Sequence, residues 1–430
     1  IDSRMQRYAE ESVYGHVARF LQPEFFKENR RKPNAPFTSD LTKKQVNQIM
    51  ERAVLQSERY RVMKANGASD EEIYRAFHTP TDMSVFTYHG DVDTTMTPLD
   101  SIRYVKSFLR AGFMSMDPKT GAVKAYVGGL DYSHFMYDMV MGGRRQVGST
   151  IKPFLYSLAM ENGFSPCDLA PNMQRTYMVA GQPWTPRNAS HKRAGEMVTL
   201  KWGLAQSSNW VSAYLMSKLN PQQFVQLLHD YGINNPDIHP SMALCLGPCE
   251  VSVGEMVSAY TTFANNGIRT APLFVSRIED NEGNVIANFQ PRMNEVISAE
   301  SAYKMLVELM GVVDGGTAGR LRYKYKFTGE IGAKTGTTNR NSDAWFMGFT
   351  PQLVSGCWVG GEDRDIHFDS MRMGQGATMA LPIWAYFMKK VYRDKTLPYN
   401  QEEKFNLPED FNACQKEDDM TEYGIDEVYE

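Results

Sequence analysis

The sequence predicts an α+β fold whose sheet is assembled from both ends of one long domain. Strand-like patterning occurs at residues 112–116 and 122–127 and returns after Gly329 at 331–333, 344–349 and 353–360. The stretch between, 150–313, carries mostly helical spacing. With 430 residues, 42% hydrophobic and 12% aromatic, the chain has the material for a sizeable core.

Taken in order, Met5, Tyr8, Val13 and Val17 predict a helix over residues 1–21, broken at Pro23. A basic, proline-punctuated connector follows. Val46, Ile49, Met50, Val54 and Leu55 space a polar helix within 41–66 that Gly67 closes, and Ser69 with Glu72 forms a capping box for the next. Residues 1–95 are therefore expected to be an N-terminal helical attachment. The main domain is expected over 96–400: a short helix at 99–109, a hairpin turning at Asp117-Pro118-Lys119-Thr120-Gly121, a helical insertion over about 150–325, then strands and a last helix at 382–392. Within the insertion, 200–219 and 251–266 are predicted helices, and a Pro- and Asn-rich loop fills 166–190. Residues 401–430 hold eleven acids against Lys404 and Lys416, a local net of −9 in a chain of net −4, and are expected to form a solvated acidic tail.

The remainder carries about +5, no global basic field of the kind that draws proteins to phosphate backbones, so nucleic acid is excluded as a partner. Five cysteines are too few and scattered for a disulfide framework; Cys245 and Cys249 are close enough to bridge, although a buried thiol pair is the simpler expectation. No zinc pattern, His-x-x-x-His pair or Gly-x-Ser-x-Gly elbow occurs, so neither metal nor cofactor is called for. His367 beside Asp365 and Asp369 reads as a polar loop. The longest charge-free run, 344–361, contains Pro351, Gln352 and four glycines and reads as two strands and a turn rather than a membrane span. Ile1 enters a helical pattern at once, without signal-peptide grammar, so the sequence reads as a fragment.

Three short motifs occur in order: Ser149-Thr150-Ile151-Lys152, Ser207-Ser208-Asn209 and Lys334-Thr335-Gly336-Thr337. Each alone arises by chance. Ser301-Ala302-Tyr303-Lys304 repeats the first, but no Ser-x-Asn separates it from Lys334; Lys119-Thr120-Gly121 repeats the third, but it sits in a hairpin turn ahead of the serine. Only one ordered set survives. Pro153, four residues after Ser149, is tolerable only where a helix has just begun, which puts Ser149 at the positive helix end and Lys152 one turn away on the same face. Serine is a poor nucleophile until a base takes its proton, and lysine serves only when partly neutral; burial and a second cation, Lys334, are expected to lower the Lys152 pKa.

This set resembles the penicillin-recognising active-site serine enzymes. The run Arg144-Arg145-Gln146-Val147-Gly148-Ser149-Thr150-Ile151-Lys152-Pro153-Phe154 is similar to the acylation segment of class A, bifunctional penicillin-binding proteins. Residues 112–129, Trp184-x-Pro186-x-Asn188, Val198-Thr199-Leu200, Glu250-Val251-Ser252 and Asp343-Ala344-Trp345-Phe346 extend the likeness over about 95–395. The resemblance implies a central, mainly antiparallel sheet flanked by helices with an all-helical subdomain. It also implies a D,D-transpeptidase that cross-links peptidoglycan stem peptides, with a D-Ala-D-Ala donor and an amine acceptor, and that β-lactams acylate. Ser149 would be the nucleophile, Lys152 its base, Ser207 the proton relay and Lys334 the tuning cation. Asn209 would bond the substrate amide, Thr335 and Thr337 would hold the terminal carboxylate with Gly336 between them also binding substrate, and the amides of Ser149 and Thr337 would form the oxyanion hole.

It further implies a parent chain with a membrane anchor and a glycosyltransferase domain, working outside the cytoplasm. Glu362-Asp363-Arg364 mimics the start of that domain's catalytic motif but comes too late and reads as a surface loop. A D,D-carboxypeptidase, resolved by water instead of an amine, and a non-catalytic muropeptide or β-lactam sensor are the alternatives. Rapid β-lactam hydrolysis is disfavoured, since no Glu-x-x-Leu-Asn lies between Asn209 and Lys334.

Overall fold

A computed structural model describes residues 1–415. Its centre is a five-stranded, wholly antiparallel sheet. Strands β1 (Arg110–Met116) and β2 (Val123–Val127) come from one end of the domain, and β3 (Gly332–Thr337), β4 (Asp343–Phe349) and β5 (Val354–Gly360) from the other, in the order β3-β4-β5-β1-β2. The expected assembly from both ends is what is found.

Both faces of the sheet are covered, so every residue of β4 and β5 is buried. On one face, helix α1 (Ser3–His16) packs against helix α6 (Leu381–Arg393), and Phe346 meets Trp384 of α6 edge-on. On the other, helix α4 (Val253–Ala264) lays Val257 against Met347 and Gly356. Helix α2 (Lys152–Glu161), helix α3 (Asn209–Met216) and helix α5 (Ala299–Asp314) lie in the insertion beside β3. The insertion is not all helical as expected: it also holds short antiparallel pairs of Leu169–Pro171 with Met197–Thr199, Tyr177–Val179 with Gln182–Trp184, Ile268–Thr270 with Met293–Glu295 and Arg277–Glu279 with Val285–Asn288.

Three local differences from expectation have identifiable causes. The first helix does not stop at Pro23: a π-helical turn, Val17–Leu21, leads into a helix at Gln22–Asn29, and the proline occupies its first turn, where no amide proton is needed. The predicted helix over 200–219 is two, Leu200–Ala205 and α3, because Ser207 takes a left-handed φ of 57° and Ser208 caps the second by accepting from the Val211 amide. The attachment contains, besides helices Lys43–Gln56, Glu58–Ala65 and Asp70–His78, an unforeseen hairpin of Thr81–Val85 with Val92–Met96. The Ser69/Glu72 capping box is present.

The expected solvated tail is docked over its first half. Gln401 Oε1 accepts from the Thr328 amide at 2.9 Å, Glu330 accepts from the Phe405 amide at 2.7 Å, and Phe405 is in the core. Cys414 forms a disulfide with Cys167 across 247 residues, whereas Cys245 and Cys249 are free, buried thiols. Residues 416–430 lie outside the described residues. The Cys167→Ser variant is expected to exchange the amides of residues 401–415 faster while keeping penicillin labelling, by hydrogen-exchange mass spectrometry; unchanged exchange would mean the bridge does not hold this segment.

Candidate active site

The segment ahead of Ser149 is pinned on two sides. Gln146 and Arg145 pair with Glu250 and Val251, and the Gly148 amide donates to Gly247 O at 3.0 Å. Across the sheet, Trp345 Nε1 donates to Gln146 O at 2.7 Å, and Arg145 Nε reaches the buried Asp343 at 2.7 Å. Asp343 also accepts from Trp358 Nε1 at 3.0 Å and from the Thr338 hydroxyl at 3.1 Å, so one carboxylate fastens the serine segment to the end of β3.

Ser149 then lies in a 3₁₀ turn, Gly148–Ile151, that becomes α2 at Lys152 with Pro153 in its first turn, as the proline predicted. Gly336 is needed for this approach. A Cβ there would stand 2.8 Å from Thr150 Cγ2 and 3.0 Å from Val147 O.

All three motifs meet. Lys152 Nζ donates to Ser207 O at 2.7 Å, to Asn209 Oδ1 at 2.7 Å and to Ser207 Oγ at 3.3 Å. Lys334 Nζ donates to the same Ser207 Oγ at 2.8 Å and to Thr335 O at 2.9 Å. Among the described residues no hydrogen bond joins Lys152 to Ser149, since the ammonium's donors are taken by the second motif. Ser149, Ser207, Asn209, Thr335 and Thr337 line one cleft of about 500 Å³, and both lysine side chains lie buried beneath it.

Burial disfavours both ammoniums. It lowers Lys152 to about 7, and it pushes Lys334 well below the usual lysine range with help from the charge of Lys152. The expected downward push of Lys334 on Lys152 falls instead on Lys334. The two cations share one hydroxyl, and neutrality of an amine beside Ser149 is accessible near pH 7.

Other side chains hold this set. Asn188 Oδ1 accepts from the Asn209 amide at 2.6 Å, and its Nδ2 donates to Ser208 Oγ at 3.2 Å. Asn209 Nδ2 donates to Arg187 O at 2.7 Å, so the asparagine expected to meet substrate already has a protein partner at each end. The Thr335 hydroxyl pairs with that of Thr317 at 2.7 Å, and Thr337 Oγ1 accepts from the Gly376 amide at 3.0 Å. Arg187, Thr317 and Gly376 were not anticipated, because Arg187 and Thr317 lie in loops and Gly376 opens a short helix, Gly376–Met379, none with a local signal; Asn188 was visible only within Trp184-x-Pro186-x-Asn188.

The competing copies are structural. Ser301 sits in the first turn of α5 with Lys304 paired to Glu300 at 2.6 Å, and Lys119-Thr120-Gly121 forms the turn whose amides bond Asp117. Glu362 and Asp363 grip the buried Lys106 at 2.6 Å each.

A five-stranded antiparallel sheet flanked by helices, with Ser-x-x-Lys, Ser-x-Asn and Lys-Thr-Gly side chains converging on one cleft, defines the class of penicillin-recognising folds. Residues 111–356 match the family described as "Penicillin binding protein transpeptidase domain", and residues 32–109 match "Penicillin-binding protein middle domain". The chain belongs to the penicillin-binding protein transpeptidase family. Penicillin-binding protein 1A of Neisseria meningitidis is 32% identical over 295 residues, which cover 67% of this chain and 36% of that protein. Its counterpart from Aquifex aeolicus is 33% identical over 287 residues, covering 66% and 38%. The chain thus spans little more than a third of the relatives it matches. Among solved structures, penicillin-binding protein 1A from Haemophilus influenzae superposes with a TM-score of 0.69 at 21% identity, over 95% of this chain and 67% of that one. PonA1 from Mycobacterium tuberculosis in complex with penicillin V gives 0.60 at 21% identity, over 86% and 98%. Among the described residues, no helix is long and apolar enough to cross a membrane.

Proposed function

We propose that this chain is a serine-type D,D-transpeptidase that cross-links peptidoglycan stem peptides through an acyl-enzyme on Ser149. The observation that carries the reading is the Lys152–Ser207–Lys334 chain of hydrogen bonds behind the cleft that Ser149 lines. In the first step Ser149 Oγ bonds to the carbonyl carbon of the penultimate D-alanine while Lys152, as the neutral amine, takes the hydroxyl proton. The peptide C–N bond then breaks, and the departing D-alanine nitrogen receives a proton through Ser207. The ester waits at Ser149 until an amine of a second stem peptide attacks it, restoring the hydroxyl. The amides of Ser149 and Thr337 are assigned to the developing oxyanion, a role in which each donor contributes about 3 kcal/mol. Asn209 and the Thr335-Gly336-Thr337 edge receive the substrate backbone and terminal carboxylate. β-Lactams would stop the cycle at the acyl-enzyme.

The parent protein is proposed to be a bifunctional synthase anchored in the membrane, with this region outside the cytoplasm. The Cys167–Cys414 disulfide supports that placement, since such bonds persist in oxidising compartments. Incubation with a labelled penicillin followed by peptide mapping is expected to place one adduct on Ser149 and none on Ser301. An adduct on any other residue would overturn the assignment. A stem-peptide donor with an amine acceptor is expected to give cross-linked product; released D-alanine without cross-links would favour the carboxypeptidase.

A further inference from the structure

On the far side of the catalytic wall lies a second cleft, of about 630 Å³, between the C-terminal end of α1, helix α6 and residues 320–325. Its charge is unlike that of the chain as a whole, which is −4. Arg19, Arg320, Lys324 and Arg372 line it together with Lys389, Lys390 and Arg393 of α6, against the single carboxylate of Glu11, which is ion-paired with Lys390. Arg19, Lys324, Arg372, Lys389 and Arg393 have no carboxylate partner among the described residues. Arg320 donates to Ala377 O at 2.9 Å and to the Thr378 hydroxyl at 3.0 Å, neither of them anionic.

So many unneutralised cations in one concavity repel one another, and the field is relieved only when an anion enters. Burial, with a lesser contribution from the charge of Lys324, pushes the groove's His16 down to about 4, so that it stays neutral and donates to Thr378 O at 2.9 Å. The floor is aromatic. Tyr325 and Tyr386 meet edge-on with centroids 5.7 Å apart, Lys324 and Lys389 lie over the Tyr325 ring, and Phe20 is exposed at the rim.

We propose that this groove is the docking site for an acidic polypeptide segment of a partner protein. Three observations favour that occupant. The charge calls for several anionic groups at once rather than one. A concave groove with an aromatic floor admits an extended chain but not the flat surface of a bilayer. The chain's own last described residues lie elsewhere, with Phe411 against Tyr303 near the start of α5, whereas Arg320 follows the end of that helix. The groove also shares a wall with the catalytic cleft, since Ala377 lines the latter and the neighbouring Gly376 amide holds Thr337.

The test is fluorescence anisotropy of a labelled peptide of alternating Glu and Gly against the 430-residue chain. Binding is expected to weaken steeply with salt and to fall at least about tenfold in the Arg19→Glu, Lys389→Glu, Arg393→Glu variant, while penicillin labelling stays at the wild-type rate as proof of folding. A second variant, Lys389→Gln with Arg393→Gln, is expected to fall by a smaller factor and keeps the test open if the reversal does not fold. Equal affinity in wild type and both variants, or equal binding of a Gln-Gly peptide, would overturn the proposal. So would tighter, reversal-sensitive binding to phosphatidylglycerol vesicles, which would assign the groove to lipid. A chain lacking residues 417–430 that binds the peptide more than about tenfold better would assign it to the protein's own acidic end instead, and would equally overturn it.

Discussion

Replacing Lys152 with methionine is expected to slow acylation by penicillin about 10²- to 10⁴-fold while leaving the protein folded. The rate loss follows from the site: Lys152 is the amine one turn from Ser149, and the Lys334 amine is already committed to Ser207 and Thr335 O. In the wild type, the second-order acylation rate should rise as pH passes through about 7, where the buried lysine gives up its proton, and the variant should lack that rise. Stability has its own sign. The folded-state pKa of Lys152 lies below that of an unfolded lysine, so the native state binds fewer protons between about 7 and 10.5. Below that window the buried charge destabilises the fold to the full extent; across it the penalty is relieved as pH rises. The variant has no charge to lose, but it leaves Ser207 O and Asn209 Oδ1 without their donor, at about 1–3 kcal/mol each. Its melting temperature relative to wild type should therefore decline as pH rises from 7 to 10. A variant acylated within about threefold of wild type would remove Lys152 from the mechanism.

The parts of this site that the sequence made legible were those fixed by backbone constraints. Pro153 dates the start of α2 to within one turn, and with it the position of Ser149 and Lys152. The turn Asp117–Gly121 disposed of the first Lys-Thr-Gly, and apolar runs marked the central strands because strands buried on both faces carry few polar residues. Where the reading failed, the deciding interaction was distant in sequence. Residues 200–219 carry unbroken helical spacing without Gly-Pro punctuation near Ser207, yet the helix breaks there, because Lys152, Lys334 and Asn188 hold the Ser207–Asn209 turn from three other elements. Strand β3 was expected to stop at Ala333, but pairing of Lys334–Thr337 with Ala344–Met347 carries it through the motif. The Cys167–Cys414 bridge and the docking of 401–405 join points hundreds or tens of residues apart, which no local pattern encodes.

That same break gives the second large effect, because Ser207 is held in a conformation its side chain disfavours. A non-glycine residue at φ of 57° costs about 1 kcal/mol, which glycine avoids. Ser207→Gly removes the hydroxyl shared by the two lysines but keeps the main-chain oxygen that anchors Lys152, and Lys334 retains Thr335 O. The expected result is a protein within about 1 kcal/mol of wild-type stability whose acylation falls about 10²- to 10³-fold. Ser207→Ala should lose a similar factor in rate and, still carrying a Cβ at the left-handed position, be less stable than the glycine variant by about 1 kcal/mol. Measuring both by urea denaturation and stopped-flow acylation separates conformation from chemistry. If Ser207→Gly acylates like wild type while Ser207→Ala does not, the serine serves only to shape the turn, and the proton path must run through another group. If both lose rate together, the hydroxyl between Lys152 and Lys334 is part of the reaction, and its strained backbone is what places it there.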